Sequence, residues 1–278
     1  KEWYLGCQKP NTNATTASSG RQVFWIRLQS TATGDLSLFI QHVLPSIQHP
    51  FELITTDGDS SVPSKINGAE NLLDNPLLTK WHTQNYDGSV NHTKLHPIPI
   101  GLDLHTVGAE RPGLWSMTSK EENLRQMKMI RDRTMNTTQD RSELFWVPPM
   151  NVKNDPDRKR AYDAAKCMKN HTYSPRLTVP KLYEAYTKYR FGFSPRGNGL
   201  DAHRTWEMIF FGMIPIIRTG PLDSLYTGLP VLIVKEWEDI CQPGFLDEFY
   251  GKWKDWLPVS DKIMTMQYFL QKDGYSLS

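Results

Sequence analysis

Cysteine is scarce in this chain of 278 residues: there are three, Cys7, Cys167 and Cys241. Odd in number and widely spaced, they suit neither a disulfide framework nor a zinc site, and they are read as thiols of a reducing compartment. Long hydrophobic runs are missing too. No stretch reaches the ~18 apolar residues of a membrane-spanning helix, and the opening KEWYLGCQKP lacks the apolar centre of a signal peptide. The expected location is therefore the cytoplasm, or the Golgi lumen had a leader or anchor been removed. Sequons at Asn13, Asn91, Asn136 and Asn170 would matter only in a secreted chain. Charge of one sign is absent as well. With 32 basic and 30 acidic residues the net charge is +2 and no basic run stands out, so nucleic acid and membrane surfaces are not expected partners. No internal repeat is visible.

At 38% hydrophobic and 22% charged the chain has the composition of a globular protein, long enough for one large or two modest domains. After an Asn/Thr/Ser-rich stretch at 11–19, residues 21–28 (RQVFWIRL) read as a buried strand. Residues 36–47 read as an amphipathic helix and 51–55 (FELIT) as a second strand. A short helix is expected over 72–81, a proline-punctuated strand over 94–100, and a charged surface helix or disordered loop over 121–134, followed by a linker at 136–141. The second half opens with a strand at 144–150. A helix over 157–168 follows, with Asp155 as N-cap and Pro156 at its first position. A helix at 182–189 should carry its tyrosines to the surface. Two aromatic-rich helices, 245–256 and 261–271, close the chain.

Residues 191–218 (FGFSPRGNGLDAHRTWEMIFFGMIPIIR) carry the densest signal. A short strand leads into the turn Pro195-Arg196-Gly197-Asn198-Gly199. A helix over about 201–211 has apolar residues at Ala202, Trp206, Ile209 and Phe210, Gly212 marks its stop, and a buried strand follows. Strand, glycine-bearing turn and helix start form a βαβ unit whose turn offers backbone N–H groups at the positive end of a helix dipole, a place for phosphate. Arg196 and Arg204 could grip a diphosphate. Glu207, on the Arg204 face, could accept from ribose hydroxyls. The same residues also make an ordinary helix ion pair and a turn, so spacing alone leaves both readings open.

SPRGNGLDAHRTWEMIFFGMIPII followed by GPLDSLYTGLPVLIV resembles the donor-binding half of exostosin-like glycosyltransferases, whose pattern is S/A-P-R-G, a later Arg, a Glu three residues on, then G-x-I-P. The similarity extends over about 145–240. IPIGLDLH at 98–105 is similar to a segment of small algal and algal-virus members, among them xylosyltransferases acting on a capsid glycan. The resemblance implies two Rossmann-like α/β domains facing a cleft (GT-B type), an acceptor domain at 1–140 and a nucleotide-sugar domain at 141–278, the last helix packing back on the first. It also implies that Leu222 and Tyr226 lie beside the donor base or sugar, although Tyr226 has the character of a core residue.

Loops after strands hold the remaining candidates, since open α/β sheets place function at the carboxyl ends of their strands. Asn151 and Lys153 follow the strand at 144–150 and could contact donor phosphates. Asp57 and Asp59 flank a glycine after 51–55. They suit a general base for an acceptor hydroxyl, a D-x-D pair holding a divalent cation, or a turn cap. The base reading is preferred because Arg196 and Arg204 already supply positive charge. Asp103 and His105 could line the same cleft as alternative bases. The expected protein is an inverting glycosyltransferase moving a sugar, xylose among the options, from a UDP-sugar to a hydroxyl of a glycan or glycoprotein, with no cofactor and no required metal. The alternatives are a metal-dependent transferase and a carbohydrate-binding protein whose nine tryptophans stack on sugar rings.

Overall fold

A computed structural model describes residues 15–16, 22–28, 34–104, 119–135, 141, 143–153, 155–168, 171–173, 177–257 and 260–272. Two separate sheets organise them. The first runs β1-β2-β3-β4-β5, with β1 (Thr15–Thr16), β2 (Gln22–Arg27), β3 (Phe51–Thr56), β4 (Leu78–Thr83) and β5 (Leu95–Pro97). Only the β1/β2 pair is antiparallel. The second runs β10-β9-β8-β6-β7 and is parallel throughout, with β6 (Glu143–Val147), β7 (His171–Tyr173), β8 (Tyr189–Phe193), β9 (Ile214–Arg218) and β10 (Leu232–Val234). The α/β class and the two Rossmann-like sheets agree with the sequence expectation.

Strand β3 shows why such segments read so clearly: every residue of FELITT is buried, as a central parallel strand covered on both faces requires. Helices connect the strands. In the first half these are α1 (Asp35–Leu38), which continues through a π turn and a 3-10 turn to Ser46, and α2 (Ala69–Asp74). The helix expected over 36–47 is thus present but irregular. α3 (Lys120–Met135) precedes the second sheet. α4 (Pro156–Ala164), α5 (Val179–Lys188), α6 (His203–Phe210), α7 (Phe245–Trp253) and α8 (Met266–Lys272) belong to it or follow it.

Three sequence expectations are corrected. Residues 72–81 are not one helix: α2 ends at Asp74, Asn75 is extended (ψ 119°) and Leu78–Thr83 is strand β4. Pro76 is the cause, because the residue before a proline is pushed out of the helical region and the chain resumes beside β3. The tyrosines of α5 do not reach the surface. Tyr183 and Tyr186 are 1% and 0% exposed. Tyr183 lies 4.9 Å from the Phe211 ring and Tyr186 is edge-on to Trp146 at 5.6 Å. Finally, Cys167 and Cys241 form a disulfide across 74 residues of sequence. The turn ending α4 and the 3-10 turn Trp237–Cys241 pack together, which brings the two Cα atoms to 5.7 Å, a distance that linear spacing cannot reveal.

Helix α6 is the hub of the second half. Trp206, Met208, Ile209 and Phe210 are at most 2% exposed, each burial stabilising by about 1.5 to 3 kcal/mol against an extended reference chain. Gly212, at φ 76°, ends it with the left-handed turn that glycine supplies without strain. Phe269 of α8 stands edge-on to Trp206 at 5.4 Å. Asp261, just before α8, pairs with Lys128 of α3 at 3.0 Å and with Arg131.

Candidate functional site

Strand order creates a crevice in the second sheet. β6 has β7 on one side and β8 on the other, so the two crossovers leave in opposite directions and the loops after β6 and β8 part at the carboxyl ends. Into that gap come three guanidinium groups. Arg196 is in the loop after β8 and half exposed. Arg204, in the first turn of α6, donates to the Pro149 carbonyl at 2.8 Å. Arg158, in the first turn of α4, donates through Nε to the Arg196 carbonyl at 2.9 Å. Asp155 caps α4 by accepting from the N–H groups of Asp157 (2.9 Å) and Arg158 (3.2 Å). Its other oxygen lies 3.7 Å from Arg196 Nε. Burial, followed by the nearby Arg204 and Arg196 charges, lowers the Arg158 pKa, while Asp155 opposes the shift. An anion among the three guanidinium groups would relieve the crowding of positive charge at Arg158.

Beside the cluster a small pocket of about 200 Å³, open to solvent, is lined by Arg196, Ser194, Thr205, Leu222, Tyr226 and Trp237 among others. Arg218 and Asp223 add charge at its wall. Ser194 and Thr205 share a 2.8 Å hydrogen bond, tying the loop after β8 to α6.

Glu207 is placed elsewhere. It is 6% exposed, does not line this pocket and accepts from the Tyr186 hydroxyl at 3.2 Å. Burial and the neighbouring Asp103 charge raise its pKa from 4.5 to about 7, against the pull of Arg204. Asp103 therefore lies near Glu207 and Tyr183, and its carbonyl accepts from Asn123 at 3.1 Å.

The first sheet contributes the loop after β3. Asp57 adopts φ 60°, an uncommon conformation for a residue with a side chain, and its N–H donates to Gln84 Oε1 at 3.0 Å. A Cβ on Gly58 would lie 1.6 Å from the Leu28 carbonyl oxygen, so only glycine fits there. Asp57 and Asp59 are both exposed. Asn85, buried at the end of β4 with φ 54°, joins the halves. Its Nδ2 donates to the Gly58 carbonyl at 2.8 Å, and its Oδ1 accepts from the Asp201 N–H at 3.1 Å. Asp201, 2% exposed, also accepts from the Ile100 N–H at 2.8 Å, from Trp206 Nε1 and from the Tyr226 hydroxyl. His203 Nδ1 lies 2.8 Å from the Gly101 carbonyl. The carboxyl ends of the two sheets therefore face each other, with one asparagine between the Asp57-Gly58-Asp59 loop and the turn at 196–201.

The structure thus gathers Arg196 and Arg204 about Arg158, puts Arg196, Leu222 and Tyr226 on the pocket wall, and leaves Arg204 off that wall, near Tyr186 and Glu207, with Asp103 beyond Glu207. Gly197 and Asn198 form the outer turn, Asn198 exposed. Asn151 and Lys153 are exposed in the loop after β6, where Asn151 Oδ1 accepts from the Lys153 N–H at 3.0 Å. His105 lies outside the described residues. Among the described residues no group of three or more His, Cys, Asp or Glu could hold a metal ion. Sequence reasoning missed Arg158, Asn85 and Asp201. Arg158 could have been suspected from its place one turn after the Asp155-Pro156 start signal, the end of α4 that faces the crevice. Nothing local marked Asn85.

No protein-family model matches the chain, and no curated protein sequence matches it. Among solved structures, the catalytic domain of starch synthase IV from Arabidopsis thaliana bound to ADP and acarbose is similar at a TM-score of 0.43 and 10% identity, over 92% of this chain and 71% of that one. A likeness that loose carries no chemistry. The chemistry has to come from the residues.

Proposed function

We propose that this protein is a glycosyltransferase that holds a nucleoside diphosphate sugar in the crevice of its second sheet. The observation behind this reading is the convergence of Arg158, Arg196 and Arg204 at the point where the strand order reverses. Three cations gathered about Arg158 suit the two phosphates of such a donor, and the open pocket that Arg196 lines lies beside them on the side its nucleoside would take. In this reading the donor half is 141–278 and the acceptor half 1–140. The donor is a UDP-sugar, with UDP-xylose the first to try.

Chemistry follows from the two facing loops. Asp59, exposed beside the Gly58 that Asn85 ties to the donor turn, takes the proton of an acceptor hydroxyl, while Asp57 holds the loop through its N–H on Gln84. The freed oxygen attacks the anomeric carbon from the face opposite the diphosphate and inverts its configuration. The guanidinium groups stabilise the charge that develops on the leaving phosphate. No metal is required in this scheme.

The test is thermal stabilisation by UDP in EDTA. A rise in melting temperature that disappears in an Arg158→Ala/Arg204→Ala double variant supports the reading. Stabilisation only with manganese would instead make Asp57 and Asp59 metal ligands. A response to glycans but never to nucleotides would make the protein a lectin-like binder.

A further inference from the structure

Oxidised sulfur and an exposed acceptor asparagine occur in the same chain. The Cys167–Cys241 disulfide belongs to an environment that does not keep thiols reduced, such as the secretory lumen. Asn91-His92-Thr93 is an N-glycosylation sequon, and it lies in the loop between β4 and β5. Asn91 and Thr93 are both exposed, as are Gly88, Ser89 and Val90 before them. The loop is nevertheless well defined. Asp87 accepts from the Ser64 N–H (3.1 Å) and the Ser89 N–H (2.9 Å), the Tyr86 hydroxyl donates to the Val90 carbonyl at 2.9 Å, and the Leu95 N–H donates to the His92 carbonyl at 3.0 Å. The hydrogen bonds that shape the turn thus leave the Asn91 side chain out.

We infer that Asn91 is an acceptor for an N-linked oligosaccharide, attached as the chain matures in an oxidising secretory compartment. In the transfer, Asn91 Nδ2 forms a bond to the anomeric carbon of the first sugar of a polyprenyl diphosphate oligosaccharide. The bond from that carbon to the diphosphate breaks, the lipid diphosphate leaves, and the amide gives up one proton. Because the side chain points to solvent from a turn held by backbone and Asp87 contacts, the folded protein accommodates the glycan without rearrangement. The inference stands apart from the proposed transferase activity, since it uses none of Arg158, Arg196, Arg204, Asp57 and Asp59.

The full chain, secreted from a eukaryotic host, is digested without reduction and treated with a peptide amidase in heavy-oxygen water, which leaves labelled aspartate wherever a glycan was attached. The expected result is label at position 91 and a peptide pair joined through Cys167 and Cys241. Asn91→Gln and Thr93→Ala should each lose one glycan increment on a gel, Thr93→Ser should keep it, and all three should melt within a degree or two of the parent. An unlabelled Asn91 in cells that glycosylate a control sequon in the same secreted preparation would overturn the acceptor assignment. Free thiols at Cys167 and Cys241 in the folded, secreted protein would overturn the compartment.

Discussion

The carboxyl ends of the two sheets do different things with similar materials. In the first half β2 to β5 lie in sequential order, so no reversal opens a crevice. The functional candidates there sit on backbone held in place by close packing: Asp57 at φ 60°, Gly58 against the Leu28 carbonyl, Asn85 at φ 54°. In the second half the order reverses at β6, and the side chains of three arginines gather in the gap. One site is made by backbone geometry, the other by topology. The first should be sensitive to any change of shape, and the second chiefly to loss of charge.

The largest expected effect tests the chemical half of that contrast. Asp59→Asn should lower transferase turnover by about 10² to 10⁴ with donor binding almost intact. Asp57→Asn should cost less, since its N–H on Gln84 survives the change. Single-turnover rates with and without EDTA check both. Full activity in the two variants would move the base elsewhere, to Asp103 or His105.

Gly58→Ala probes shape alone. Its Cβ would meet backbone rather than a flexible side chain, so the chain leaving β2 at Leu28 or the Asn85 bridge must give way. Urea unfolding should show a loss of about 3 kcal/mol or more. A loss under about 1 kcal/mol would mean that the loop is free to shift.

Arg204→Ala removes a charge together with the hydrogen bond to the Pro149 carbonyl. It should weaken UDP binding by about 1.5 to 3 kcal/mol, the usual scale of a charge-assisted hydrogen bond, and calorimetry on a folded variant measures it. Arg158→Ala should act in the same direction. Unchanged affinity in both would remove the crevice as the diphosphate site.

The smallest effect concerns Glu207, buried on the face of α6 that meets Tyr186 of α5. Its folded pKa, raised from 4.5 to about 7, lies above the unfolded one, so the native state keeps a proton that the unfolded chain releases. Its contribution is therefore fully present below about pH 4.5 and falls as pH rises towards 7. Glu207→Gln should flatten that part of the stability profile, measured by urea midpoints across this range. An unchanged slope would show that Glu207 ionises freely in the fold.

How much of this was legible in advance depended on how local the cause was. Strands such as FELITT and the α4 start at Asp155-Pro156 were readable because burial on both faces and a capped first turn leave their mark within a few residues. The β4 segment is hard to read in the sequence because Leu73, Leu77 and Trp81 also fit a helical stripe, which Pro76 interrupts. Arg196 and Arg204 were found through a motif, whereas Arg158, 38 residues from Arg196 in sequence, was not.

The sequence by itself determined the α/β class, the strand–turn–helix unit around Arg196 and the helix that buries Trp206, since periodicity and turn chemistry act over short stretches. Only the tertiary structure decided that Cys167 meets Cys241, that Asn85 joins Gly58 to Asp201, and that Tyr186 turns inward to Glu207. Those pairings depend on strand order and on which crossovers pack together. A buried polar group takes whatever partner the fold brings within reach, and that partner can come from anywhere in the chain.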